Sequence, residues 1–378
     1  MKLKSLDIGC HHIALPIIQG GMGVGVSLSG LAAAVANEGG VGVISAAGLG
    51  MIGYGTSRNY MQHNIDGLRS EIRKARSLTE GVLGVNIMVA LTNYGDLMRT
   101  AIDEDIDLIF SGAGLPLDMP KYLRPGGKTR LVPIVSSARA ATLICNKWLN
   151  NYNYLPDAIV VEGPKAGGHL GFKPEQIEDQ NFSLEVILKE VIQAMYMITS
   201  RQLKHIPVIA AGGIYTGADI AAMLALGASG VQMGTRFVTT FECDASDAFK
   251  QTYLDAIEKD VVIIKSPVGM PGRAIRSVFL DEVEEGKRHP KTCPVDCILT
   301  CNINTAPYCI MAALTSALRG NFNRGYAFAG SNVWRTDRII SVKELMNTLK
   351  REFEMQGLLM DYEAAKSLPI MNSVEERA

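Results

Sequence analysis

The chain has 378 residues with Lys+Arg 37 against Asp+Glu 38, a formal net charge of −1, and is 47% hydrophobic and 20% charged. That composition excludes a disordered or supercharged protein, and the balanced charge removes the clustered cationic face that a nucleic-acid partner requires. Aromatic content is low at 6% and Gly is high at 38, which suits tight turns between strands and helices and points to a small-molecule enzyme.

Residues 8–37 carry no Asp, Glu, Lys or Arg, as a membrane span would. Pro16, Gln19 and the glycines at 20, 21, 23 and 25 break the run, so it reads as a strand, a glycine-rich turn and a helix of small residues. The first residues lack a signal peptide's basic start and apolar block, so no membrane partner and a cytoplasmic location are expected.

Apolar runs rich in Val and Ile then recur along the chain: Pro16–Gly21, Val41–Ala46, Leu83–Val89, Leu108–Gly112, Leu131–Ser136, Ala158–Glu162, Ile206–Gly212 and Gly230–Phe237. Helical patterns separate them at Leu28–Asn37, Tyr60–Lys74, Tyr94–Asp105, Leu117–Tyr122, Ala138–Leu149, Leu184–Thr199 and Ala218–Leu226, and Ala245–Ile257 follows the last. Continuous apolar strands covered by helices belong to a parallel sheet, and polar or glycine residues gather at their C-terminal ends. Eight such units predict an α/β fold, a (β/α)8 TIM barrel whose active face is built from those ends. A doubly wound open sheet is the alternative.

The last two units favour the barrel. Strand seven ends in Ala210-Ala211-Gly212-Gly213-Ile214, before a Thr216…Asp219 capping pattern, and strand eight in Gln232-Met233-Gly234-Thr235-Arg236-Phe237. In many barrels these two loops hold a phosphate on backbone N–H groups. Glycines let the phosphate approach the main chain, and Thr235 adds a hydroxyl donor.

After about residue 258 the alternation stops. Val261–Ile264 is apolar, Ser266–Ser277 reads as a loop because Gly and Pro interrupt it, and a charged helix is expected around Asp281–Lys287. A cysteine-rich stretch, a helix at Pro307–Leu318, the segment Ala327–Arg335 and a closing helix Val342–Phe353 complete the chain. The expected organisation is a barrel over residues 1–260 and a mainly helical C-terminal lid over 261–378 packed on its mouth. A second copy of the chain could complete such a lid, making a homo-oligomer.

His169 stands in the glycine-rich stretch Val161-Glu162-Gly163-Pro164-Lys165-Ala166-Gly167-Gly168-His169-Leu170-Gly171, directly after strand six. An imidazole there can donate or accept a proton near neutral pH, whereas His63, His205 and His289 have ordinary structural or solvated surroundings. With Gln19-Gly20-Gly21-Met22-Gly23, Gly84-Val85-Asn86 and the two C-terminal loops above, these residues resemble the nitronate monooxygenase (2-nitropropane dioxygenase) family of FMN barrels. Flavin-dependent enoyl-ACP reductases belong to the same superfamily, and the resemblance covers roughly residues 10–260 in matching order.

The resemblance implies FMN as cofactor, with Gly20, Gly21, Met22 and Asn86 along its ring and ribityl chain. Gly212, Gly213, Gly234 and Thr235 would bind the phosphate, Gly168 and Gln232 belong to matching cofactor segments, and His169 corresponds to the active-site histidine. Ser136 and the Ala329-Gly330-Ser331-Asn332 turn are similar to segments that approach the flavin. In a nitronate oxidase His169 would hold the anionic substrate or abstract the α-proton of a nitroalkane. In the alternative, an NAD(P)H-dependent enoyl-thioester reductase, it would protonate or polarise the thioester. A third reading is a flavin-binding redox protein without turnover of its own.

The tail departs from that pattern. Cys293, Cys297, Cys301 and Cys309 could supply four thiolates to zinc or an iron–sulfur cluster, but their spacing matches neither the paired zinc motif nor the ferredoxin runs. A helical Cys293–Cys301 would put three of them on one face, which favours structural or substrate-facing thiols. Arg273 and Arg276 are candidates to grip an anionic group, and Met22, Met51, Met88, Met233 and Met270 to line the pocket.

Overall fold

Each of the eight apolar runs forms a strand in the computed structural model, which describes residues 2–54, 59–200, 204–293 and 295–366. The strands are β1 (Ile17–Gln19), β2 (Gly42–Ser45), β3 (Leu83–Asn86), β4 (Leu108–Ser111), β5 (Arg130–Val135), β6 (Ile159–Glu162), β7 (Val208–Ala211) and β8 (Gly230–Met233). They pair in parallel in the order β1-β8-β7-β6-β5-β4-β3-β2. A parallel bridge between Ile18 and Val41 joins the two ends, with Gln19 N–H donating to the Val41 carbonyl at 2.9 Å. The sheet therefore closes into a (β/α)8 barrel.

Side-chain alternation along each strand builds two cores. Ile18, Val43, Phe110, Val132, Val160 and Ile209 form one buried cluster inside the barrel. Their chain neighbours Ile17, Ile44, Ile109, Leu131, Ile159 and Val208 pack outward against the helices. A Leu6–Ile8/His11–Ile13 hairpin adds Leu6, Ile8 and Ile13 to the inner cluster. Leu6 lies against Gly230, the first residue of β8, so the hairpin plugs the N-terminal end and leaves the opposite end for chemistry.

The helices start where side chains satisfy their free amides. Ser137 caps Ala138–Tyr152 by accepting from Ala140 N–H, and Asn153 ends that helix in the left-handed conformation at φ 49°. Thr216 and Asp219 form the expected capping box on Gly217–Ala225. Ser29–Asn37 has no local cap; Asp244, from beyond β8, accepts the amides of Leu28, Gly30 and Leu31.

Three expectations are corrected. Ser266–Ser277 is not all loop: Pro271–Ile275 (β10) pairs antiparallel with Val261–Lys265 (β9), and on its other side with Gly168–His169. Proline is tolerated there because it occupies the first position of the strand. The run Gly230–Phe237 is a strand only to Met233, since Thr235–Val238 turns helical. The helix considered for Cys293–Cys301 is not seen in its described residues from 295 on: Ile298 makes an antiparallel bridge with Leu91, and Leu299 N–H donates to the Ala90 carbonyl at 2.9 Å.

The remaining tail elements are Val278–Glu284, Ile310–Leu318 and the closing helix Val342–Lys366. Among the described residues no helix is long and apolar enough to cross a membrane.

Candidate active site

The C-terminal strand ends surround a cavity of about 270 Å³. Gly20, Gly21 and Met22 from the turn after β1 line it, with Asn86 from β3. They are tightly opposed: a Cβ on Gly21 would lie 2.4 Å from the Asn86 Cβ, and one on Gly20 3.2 Å from Gln232 Cγ. Gly168 and His169 line the wall beyond β6, and Gly212, Gly213, Gln232, Gly234 and Thr235 line it beyond β7 and β8. Gly212 and Gly213 have φ of 94° and 83°, where a side chain would be strained.

The Ala329–Asn332 turn closes that corner. Thr235 Oγ1 accepts from Gly330 N–H at 3.0 Å, and the Asn332 side-chain amide donates to the Gly213 carbonyl at 2.7 Å. Gly167 permits this approach, since a Cβ there would stand 2.5 Å from the Ala329 carbonyl carbon. Ser331 lines the cavity, and its hydroxyl oxygen is buried without a hydrogen-bond partner.

Ser136 is the site candidate that the structure does not bring to the cavity wall. Its hydroxyl lies against Gly171, where an added Cβ would be 2.4 Å away. Among the methionines, Met22, Met88 and Met233 line the cavity, whereas Met51 is packed in the core and Met270 lies against it. Arg273 is buried with its guanidinium donating to the Pro164 carbonyl at 2.9 Å, and Arg276 pairs with Asp281 at 2.8 Å, so neither reaches into the cavity. None of the four tail cysteines lines it either; they line a second cavity that shares Ile298 and Ile310 with it.

His169 is aimed by three contacts. The backbone pairs with Gly272, the imidazole Nε2 and Ser266 Oγ are 2.7 Å apart, and the ring meets Phe328 edge to face at 5.0 Å. Neither partner was legible as such in the sequence, because both come from the tail. Glu162, the last residue of β6, was also missed; it lines the cavity and sits in register with Ala211.

Loss of solvent acts on these two groups in opposite directions, pushing the Glu162 carboxyl up to about 7 and the His169 imidazole down to about 4. The stability that Glu162 contributes is full below the ordinary carboxylate range and is lost as pH rises through about 7. That of His169 is full above the ordinary imidazole value and is lost as pH falls through about 4. Flavin-free protein should therefore show a shallow profile between these limits. Glu162→Gln leaves the His169 slope, so its Tm should climb from pH 4 to 6.5, and His169→Asn should give the reverse, each change amounting to about 2 kcal/mol. Parallel Tm profiles for both variants would contradict this account.

Comparison with known proteins places the arrangement. The nitronate monooxygenase family model matches residues 4–108 and 92–352. A 5-hydroxy-7a-methyl-1-oxo-octahydro-1H-indene-4-carboxyl-CoA dehydrogenase of Mycobacterium tuberculosis is 30% identical over 74% of this chain and 68% of its own. The structure of FabK from Thermotoga maritima superposes with a TM-score of 0.69 at 29% identity, over 92% of this chain and 95% of that one. The nitroalkane oxidase from Streptomyces ansochromogenes gives 0.70 at 25% identity, over 92% and 98%. With its closed barrel, glycine-lined mouth and histidine beyond β6, the chain belongs to the nitronate monooxygenase family of flavin-dependent oxidoreductases.

Proposed function

We propose that this family member binds FMN and oxidises alkyl nitronates, with His169 as the group that meets the substrate. The observation that carries the reading is a histidine without charge at neutral pH on the wall of a glycine-lined mouth. FMN fits the residues present: the orphaned Ser331 hydroxyl and the Thr235 hydroxyl belong to the corner of the cavity that Gly212, Gly213 and Gly330 also line. Bound there, the flavin supplies the electron acceptor.

The protein's own part is positional. With Nε2 held by Ser266 Oγ, the other ring nitrogen is left for the substrate: as an N–H it donates to a nitronate oxygen, and in the other tautomer it can take the α-proton of a nitroalkane. Met88, Met233 and Phe328 give an apolar wall that excludes water from the anion. In this reading residues 1–260 are the barrel and the segment after them is its lid, contributing Ser266, Phe328 and Ser331.

The second reading is a reductase of enoyl thioesters fed by NADH or NADPH, favoured by the likeness to FabK and to a CoA-ester dehydrogenase. An anaerobic absorbance titration separates the two. Nitronate is expected to bleach the flavin bands rapidly while NADH and NADPH leave them; bleaching by a nicotinamide alone would move the assignment to the reductase.

A further inference from the structure

Cys293, Cys297, Cys301 and Cys309 all line one second cavity of about 360 Å³. They are free thiols. The loop carrying the first three is fixed through its backbone and hydroxyls: Thr92 N–H donates to the Cys297 carbonyl at 3.2 Å, and Thr300 Oγ1 donates to the Val268 carbonyl at 3.0 Å. Cys309 stands further along the chain, as the capping residue at the start of Ile310–Leu318. Two separate stretches of chain therefore present thiols to a common space.

The number and placing of the thiols decide what they can hold. A zinc ion with Zn–S bonds of about 2.3 Å needs its thiolates within about 4.6 Å of one another. Among the described residues no three Cys, His, Asp or Glu gather closely enough for a single ion. A cluster that takes four thiolates, each on a different iron, matches four thiols lining one cavity. Val295, Ile298, Ile303 and Ile310 make the rest of the wall largely apolar, and Asp296 is its one charged residue. Ile298 and Ile310 also line the cavity at the barrel mouth, so the two spaces share a wall.

We propose that these four cysteines bind a four-iron, four-sulfide cluster next to the flavin site. Each thiol loses its proton as its S–Fe bond forms. Two ferrous and two ferric ions with four sulfides give the core without net oxidation or reduction, and four protons leave. The proposal does not depend on which substrate the barrel mouth takes.

The test is iron and acid-labile sulfide analysis of the full chain, purified without oxygen and reconstituted with equal ferrous and ferric iron plus sulfide. About four irons and about four sulfides per chain are expected, with a broad absorption that dithionite bleaches and a paramagnetic signal in the reduced protein. Cys297→Ser and Cys309→Ser should lose most of the iron, whereas Cys10→Ser, remote in the chain, should keep it. Flavin content and circular dichroism show whether each variant folded, and the metal count of the unaltered protein stands without them. Zinc in place of iron, no metal after reconstitution, or full iron in folded Cys297→Ser and Cys309→Ser variants would overturn the proposal.

Discussion

His169→Ala is expected to retain its flavin and to lose about 10²–10⁴-fold in turnover, the usual contribution of a positioned acid or base. The ring is held from two directions by the tail, through Ser266 and Phe328, while its backbone pairs with β10. Truncation to alanine leaves that backbone pairing in place, so the loss should appear in turnover while flavin content is unchanged. His169→Gln divides the two tasks of the imidazole. Glutamine can donate to a nitronate oxygen but cannot take a proton from carbon. With preformed nitronate the glutamine variant should recover much of the rate, and with the parent nitroalkane it should stay as slow as alanine. Steady-state kinetics on both forms of one substrate measure this, and full activity of the alanine variant on either would remove His169 from the mechanism.

What the sequence revealed and what it hid have different physical origins. Strand alternation and the glycines at strand ends are local, so the eight strands and the residues of Gly20–Met22, Gly212–Gly213 and Gly234–Thr235 could be found by reading along the chain. Ser266 lies 97 positions from His169, and nothing local marks the pairing. Pro271 and Gly272 read as loop formers, yet the strand exists because its amides find partners on both sides, an outcome of tertiary contact rather than propensity. Glu162 ends an apolar strand like any polar terminus; only its burial in the cavity makes it unusual. Ser136 is the reverse case: it follows the end of β5, as a residue of the mouth would, while its hydroxyl lies against Gly171.

Gly213→Val should cost about 10²–10³-fold in FMN affinity, the second large effect. The native φ of 83° is disfavoured for a β-branched residue, with strain of about 1–3 kcal/mol. A Cβ would also stand 2.8 Å from the Lys165 Cβ, so the loop bearing Lys165 must shift. That loop accepts Ser331 N–H on the Lys165 carbonyl at 3.1 Å, and Gly213 itself accepts the Asn332 amide, so the strain spreads to the turn carrying Ser331. Gly234 makes the contrasting case. At φ −122° an alanine escapes the left-handed strain of Gly213, and its Cβ would meet Met22 Sδ at 3.4 Å, a normal contact. Gly234→Ala should therefore bind FMN within about tenfold of the native chain, because only the volume entering the cavity changes. Fluorescence titration of flavin-free protein with FMN measures both, with circular dichroism to confirm folding. Stoichiometric flavin retained by a folded Gly213→Val variant would mean that the phosphate lies elsewhere in the mouth.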